Sequence, residues 1–183
     1  MSLTWVPNAL TLSRCGLALG VGWAILRWPE QSYLPFLAFG LVAATDFLDG
    51  WAARRLDAVS PFGAFLDPVA DKLLVGAALV ALCLLHPGEL GLLIPSAAII
   101  ARDTAATLLR LVPGLEMPVS QLAKWKTAVE MIGIGALLLA TATVLPVLWP
   151  VGLGLVWLAA ALSVYTLGLY IGALIAQRKR PHS

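Results

Sequence analysis

The chain has 183 residues, of which 60% are hydrophobic and 12% charged, with a formal net charge of +2 and a mean hydropathy of +0.90. A soluble domain has about a quarter of its residues charged, so this composition excludes one and points to a single all-α integral membrane domain over residues 1–183. The small net charge gives no reason to expect a nucleic-acid partner.

Turn and charge signals divide the chain into six apolar segments, each about 20 residues or longer and able to cross a ~30 Å hydrocarbon core as a helix. The first, 8–27, lacks a basic leader and is interrupted by Arg14, so it reads as a retained helix rather than a cleaved signal. The second, 32–55, follows "RWPEQ" and carries Asp46, Asp49, Gly50, Ala53 and Arg54 towards its end. The third, 63–86, follows "LDAVSP" and brings Gly63, Asp67 and Asp71 near its start. "HPGE" separates it from the fourth, 90–112, which contains Arg102 and Asp103. The fifth, 119–144, follows "VPGLEMP" and contains Lys124, Lys126 and Glu130; the sixth, 148–177, follows "LPVLWP".

Cys15 and Cys83 lie inside apolar runs and read as packing residues. Trp28, Trp149 and Trp157 stand near span ends, where the indole ring suits the membrane–water interface. Gly16-x3-Gly20 and Gly168-x3-Gly172 match a helix-contact pattern that serves a homodimer or packing within one chain.

Six spans place both termini on one side, together with Arg54, Arg55, Arg110, Arg178, Lys179 and Arg180, against Arg27 alone on the other. The positive-inside rule makes that side cytoplasmic. At 1.5 Å of rise per residue, the charges of five helices then fall within very roughly 5–20 Å of the cytoplasmic boundary. They are Arg14, the four aspartates, Arg102, Lys124, Lys126 and Glu130.

Asp46 and Asp49 are three apart and Asp67 and Asp71 four apart, so each pair occupies one helix face. A short connection joins the two helices, which are expected to be antiparallel neighbours with the four carboxylates across a small gap. Such carboxylates repel or protonate unless cations intervene, and hard oxygen donors suit Mg²⁺, Mn²⁺ or Ca²⁺. The set fits two bridged ions. The alternative is structural pairing with Arg54, Arg55 and Lys72, against the rule that ionised residues in a membrane serve function. Small residues at 50, 53 and 63 leave space for a flat group, and Arg54 offers a fork to phosphate.

Read in order, Asp46-x2-Asp49-Gly50-x2-Ala53-Arg54-x8-Gly63-x3-Asp67-x3-Asp71 resembles the complete signature of the CDP-alcohol phosphatidyltransferases. The resemblance implies transfer of a phosphatidyl group from a CDP-linked lipid to an alcohol, with release of CMP. It implies that Asp46, Asp49, Asp67 and Asp71 hold two divalent cations, Mg²⁺ or Mn²⁺, and that Asp71 is also the general base. Asp49, Gly50, Ala53, Arg54 and Gly63 then contact the CDP group. It also implies a homodimer in the bacterial inner membrane with its active site facing the cytoplasm.

Arg14, Arg102, Lys124 and Lys126 form a second set of buried cations, read either as an acceptor-phosphate pocket or as counter-charges to Asp103, Glu130 and the metal acids. The pocket reading favours glycerol 3-phosphate as acceptor. "VPNALTLSR", "FGAFLDPVADKLLV", "IIAR" and "PVSQLAKWKT" are similar to stretches of bacterial phosphatidylglycerolphosphate synthases. Asp103 and Glu130 depart from them, where Glu and Gln are usual, and an Arg-Asp pair is more like the CMP-forming cardiolipin synthases, whose acceptor is phosphatidylglycerol. A cation or proton transporter is the non-enzyme alternative. The broken helices and internal symmetry expected of one do not occur, and it gives no reason for the Gly50/Ala53/Arg54/Gly63 spacing.

Overall fold

Each of the six apolar segments forms one helix. The computed structural model describes residues 5–28, 31–56, 61–110, 121–143 and 145–178, with side chains at 13–28, 31–45, 72–109, 125–143 and 145–172. The helices are α1 (Trp5–Arg27), α2 (Leu34–Leu56), α3 (Pro61–Leu85), α4 (Leu90–Arg110), α5 (Gln121–Ala142) and α6 (Leu148–Arg178). Their bounds fall within about three residues of the expected segments. Among the described residues, Leu90–Leu109, Trp125–Ala142 and Leu148–Gly172 are long and apolar enough to cross a membrane; α2 and α3 contribute the shorter apolar stretches Leu34–Thr45 and Lys72–Leu85.

Polarity is distributed inside out relative to a soluble bundle. Leu41 (67% exposed), Leu84 (62%) and Ile132 (61%) project from the surface, whereas Arg102 (9%), Lys126 (3%) and Glu130 (1%) are enclosed. Such a surface suits hydrocarbon better than water. Backbone groups are satisfied within helices, as lipid requires. Thr45 follows the same rule, its hydroxyl donating back to the carbonyls of Leu41 and Val42.

α1 packs most broadly on α3 and α5 on α6; α4 leans on α6, and α2 bridges α1 and α5. α2 and α3 touch, and among the described residues α3 also packs broadly on α1. Ala18, Val21, Leu79, Leu82, Leu137 and Val156 are among the side chains that fill the centre. Close approach of α5 and α6 depends on missing side chains. A Cβ on Gly152 would stand 2.9 Å from Leu137, and one on Gly133 3.0–3.1 Å from Leu155 and Val156. By contrast, Gly16, Gly20, Gly168 and Gly172 have no described atom within 4 Å of a Cβ position, so neither glycine pair makes a described intramolecular helix contact.

Two local features fix how α4 enters. Gly88 takes φ +93°, open to glycine at no steric cost, and lets the chain reverse between α3 and α4. Pro95 lies inside α4 and has no N–H for the carbonyl of Gly91, four residues back. The indole Nε1 of Trp157 on α6 donates to that carbonyl at 2.8 Å. Trp157 was expected only as an interfacial anchor; it also repairs a gap in the helix ladder. Trp149 likewise packs internally, its ring 4.5 Å from that of His86.

Candidate functional site

Cross-helix bonds show which helix ends share a layer. At one level, Lys72 of α3 and Lys126 of α5 both reach Asp103 of α4, and Arg102 of α4 reaches α6. At the other, Gln31 N donates to Thr141 O at 3.1 Å, beyond α1 and near the end of α5. The ends of α2, α4 and α6 therefore lie with the starts of α3 and α5. Asp46 and Asp49 precede the end of α2 by ten and seven residues, and Asp67 and Asp71 follow the start of α3 by six and ten. At 1.5 Å per residue all four lie roughly 9–15 Å along their helices from those ends, on two helices that touch.

The side chains of Asp46, Asp49, Ala53, Arg54, Asp67, Asp71 and Lys124, and the surroundings of Gly50 and Gly63, lie outside the described residues. Among the described residues no three His, Cys, Asp or Glu gather as a metal site. Arg14 is described and buried on α1, 8% exposed.

The second polar set is resolved in detail, on α4, α5 and α6. The Arg102 guanidinium donates from Nη1 to Asp103 Oδ1 (2.9 Å), from Nη2 to Thr166 Oγ1 (3.0 Å) and from Nε to the Ser163 carbonyl (3.3 Å). Its Cζ lies 5.7 Å from the centroid of the Tyr170 ring, within cation–π range. Three donors on three partners fix the plane of the guanidinium. Lys126 Nζ lies 2.6 Å from Asp103 Oδ1 and 3.3 Å from Glu130 Oε2, one helical turn on. One carboxylate oxygen of Asp103 thus receives both cations.

Lys72 approaches from α3, donating to the Asp103 carbonyl at 3.1 Å and to the Thr107 hydroxyl. Together with Asp103, Thr104 and Thr107 it makes the polar end of a cavity of about 490 Å³ between α1, α3 and α4, whose other walls are apolar, from Leu19 to Val80 and Ile99.

The expected acceptor residues Arg102 and Lys126 are therefore brought together, and the counter-charge role expected of them is visible. They are counter-charges to Asp103 and Glu130, and each keeps donors in reserve. A guanidinium has five N–H groups and an ammonium three, so two on Arg102 and one on Lys126 stand beyond the bonds described. Sequence reasoning missed Ser163, Thr166 and Tyr170, having treated the last helix as a plain hydrophobic span. Their 3-and-4 spacing, three hydroxyl residues on one face of an apolar helix, was the available signal.

Residues 4–165 match the family model for CDP-alcohol phosphatidyltransferase. The chain belongs to the CDP-alcohol phosphatidyltransferase family. Among its relatives, CDP-diacylglycerol–glycerol-3-phosphate 3-phosphatidyltransferase 2 of Arabidopsis thaliana is 39% identical, over 91% of this chain and 78% of that protein. The CDP-diacylglycerol–glycerol-3-phosphate 3-phosphatidyltransferase of Shigella flexneri serotype 5b is 34% identical over 92% of this chain and 93% of its own length. A CMP-forming cardiolipin synthase of Oryza sativa subsp. japonica is also 34% identical, over 92% of this chain but only 57% of that protein. Family membership makes the aspartate-bearing ends of α2 and α3 the expected transfer centre, and the Arg102–Lys126 cluster lies at the same end of the bundle.

Proposed function

We propose that the protein transfers the phosphatidyl group of CDP-diacylglycerol to glycerol 3-phosphate, releasing CMP and forming phosphatidylglycerophosphate. The observation that carries the reading is the pair Arg102 and Lys126. They are buried cations with N–H groups to spare, at the end of the bundle where the signature aspartates lie. A soluble phosphomonoester needs such donors, and inositol or serine does not. The names of several relatives support the same acceptor.

In this reading Asp46, Asp49, Asp67 and Asp71 hold two divalent cations, Mg²⁺ or Mn²⁺. Paired acids on two touching helices are the donor type such ions take. Bound there, the cations neutralise charge on the diphosphate. Asp49, Gly50, Ala53, Arg54 and Gly63 seat the CDP group, Arg54 as a fork to phosphate. Arg102 and Lys126, with Lys124 and Arg14, hold the acceptor's phosphate and so orient its free hydroxyl. Asp71 takes the hydroxyl proton as the oxygen attacks the phosphatidyl phosphorus; the bond from that phosphorus to the CMP oxygen breaks, and CMP leaves.

All six helices cross the membrane in this reading, with both termini and the reaction layer on the cytoplasmic side of a bacterial inner membrane, as the cation bias of the loops supports. The donor's acyl chains remain in the bilayer while the acceptor enters from water. A homodimer belongs to the same reading, and the open faces at Gly16, Gly20, Gly168 and Gly172 suit close helix approach.

A second reading, with less behind it, rests on the Arg102–Asp103 pair and the rice relative: a cardiolipin synthase with phosphatidylglycerol as acceptor. One experiment separates the two. Purified protein receives CDP-diacylglycerol with glycerol 3-phosphate, phosphatidylglycerol, inositol or serine, and the lipid product is identified by mass. Phosphatidylglycerophosphate from the first mixture alone is expected. Cardiolipin from the second, with nothing from the first, refutes the proposed acceptor.

A further inference from the structure

The cluster that offers donors to a phosphate is not a cationic pocket. In it Arg102 and Lys126 meet two carboxylates, Asp103 and Glu130, at 2.6–3.3 Å, and Lys72 reaches the Asp103 carbonyl at 3.1 Å. The two carboxylates do different work. Asp103 bonds both cations and ties α4 to α5. Glu130 sits one turn beyond Lys126 on α5, is 1% exposed, and places Oε2 3.3 Å from Nζ. Without the charge of Glu130, Lys126 would still be held at 2.6 Å by Asp103. The position of Lys126 therefore does not need Glu130, while the potential felt by any anion on Lys126 does.

From this we infer that Glu130 is a specificity-determining residue that sets how tightly the acceptor phosphate is held. The inference rests on the proposed glycerol 3-phosphate site. Glu130 competes with an arriving dianion for the Lys126 ammonium, which it holds at 3.3 Å, and an anion that draws Nζ away leaves that carboxylate uncompensated in a medium that screens little. It makes the site weak by design of charge rather than of shape. The consequence extends to product. Phosphatidylglycerophosphate keeps the same phosphomonoester, so a site of two unopposed cations would retain it after transfer. Glu130 raises the acceptor's KM and speeds product departure through one interaction.

The test is Glu130→Gln, which keeps side-chain shape and removes charge. KM for glycerol 3-phosphate is expected to fall on the order of tenfold. KM for CDP-diacylglycerol should stay within about twofold, and kcat should not rise. Inorganic phosphate, tested as a competitive inhibitor against glycerol 3-phosphate, should gain potency in parallel. A residue that merely supported the fold would weaken both substrates together. Glu130→Met, of similar length and apolar, gives the same readout should the buried amide prevent folding. In a Lys126→Met background, Glu130→Gln should leave the acceptor KM unchanged. An unchanged or raised acceptor KM in either folded single variant overturns the inference while leaving the acceptor intact. Failure of the wild type to make phosphatidylglycerophosphate overturns the acceptor reading and this inference together.

Discussion

Lys126→Met is the perturbation that best separates structural from functional roles in the buried cluster. It removes the ammonium from Asp103 Oδ1 at 2.6 Å and from Glu130 Oε2 at 3.3 Å. Both carboxylates are largely enclosed, Glu130 at 1% and Asp103 at 13% exposure. Breaking a buried pair by deleting one partner costs about 3–5 kcal/mol. Asp103 retains Arg102 at 2.9 Å, so the lower end, about 3 kcal/mol, is expected here. Lys126→Met/Glu130→Met removes both charges and replaces them with apolar groups of similar volume, which is often near neutral. The double variant should therefore recover most of the loss. Any other contact of Glu130 is removed equally in Glu130→Met, so the double-mutant cycle isolates the pair.

Stability is read as denaturant unfolding in detergent micelles, and acceptor KM is measured on the same four proteins. Stability should return in the double variant while KM for glycerol 3-phosphate stays raised roughly ten- to a hundredfold, the equivalent of one charge-assisted contact worth about 1.5–3 kcal/mol. A Lys126→Met protein as stable as wild type refutes the geometry. A double variant with normal acceptor KM refutes the phosphate role of Lys126.

Asp71→Asn should abolish CMP release in folded protein yet leave CDP-diacylglycerol binding largely intact, because the amide keeps one oxygen but cannot take a proton; near-normal turnover would sink the general-base assignment. Chelator-treated protein should release no CMP until Mg²⁺ or Mn²⁺ is restored, and activity without either would contradict the two-cation reading. Gly152→Ala should destabilise by about 1–3 kcal/mol in the same unfolding assay, since its methyl would meet the Leu137 backbone at 2.9 Å; Gly168→Ala, with no described neighbour within 4 Å, should be near neutral in the monomer. Trp157→Phe should cost about 1 kcal/mol by leaving the Gly91 carbonyl without its indole donor, and should cost less in a Pro95→Ala background, where the helix supplies its own N–H.

Helix number and extent were legible because the signal is long. Twenty apolar residues between Pro, Gly and charge clusters leave one solution in lipid, and the six segments differ from the helices by only a few residues at each end. Pairing was legible in part. A short connection pointed to α2 beside α3, and the two do touch, whereas the broad contact of α3 with α1 among the described residues had no such signal. Glycine spacing did not say which helices of this chain approach closely. Gly16-x3-Gly20 marks a smooth face without saying what meets it, while the close approaches occur at Gly22, Gly133 and Gly152, which sit in no such pattern. In the site, the aspartates declared themselves as charges in an apolar run. Ser163, Thr166 and Tyr170 did not, since a hydroxyl in a membrane helix can always bond its own backbone, as Thr45 does. Thr166 does the same on the Ser163 carbonyl, and only the position of Arg102 adds a further partner, which donates to that carbonyl and to the Thr166 hydroxyl and faces the Tyr170 ring.

The same physics explains the counter-charge role, one of the two that the sequence left open for these cations. Two bare cations inside a bundle that faces lipid would be expensive in every protein molecule waiting for acceptor. Buried cations at this depth must therefore bring their own anions, and Asp103 and Glu130 are those anions. The resting ion pairs and the binding donors are then one set of groups in two uses. Arg102, held on three sides by Asp103, Ser163 and Thr166, has little freedom to change partners. Lys126, on a flexible stem between two carboxylates, has more. A phosphate that enters this cluster meets a fixed guanidinium and a movable ammonium. The strength of its binding is then set by how firmly the two carboxylates hold Lys126 back.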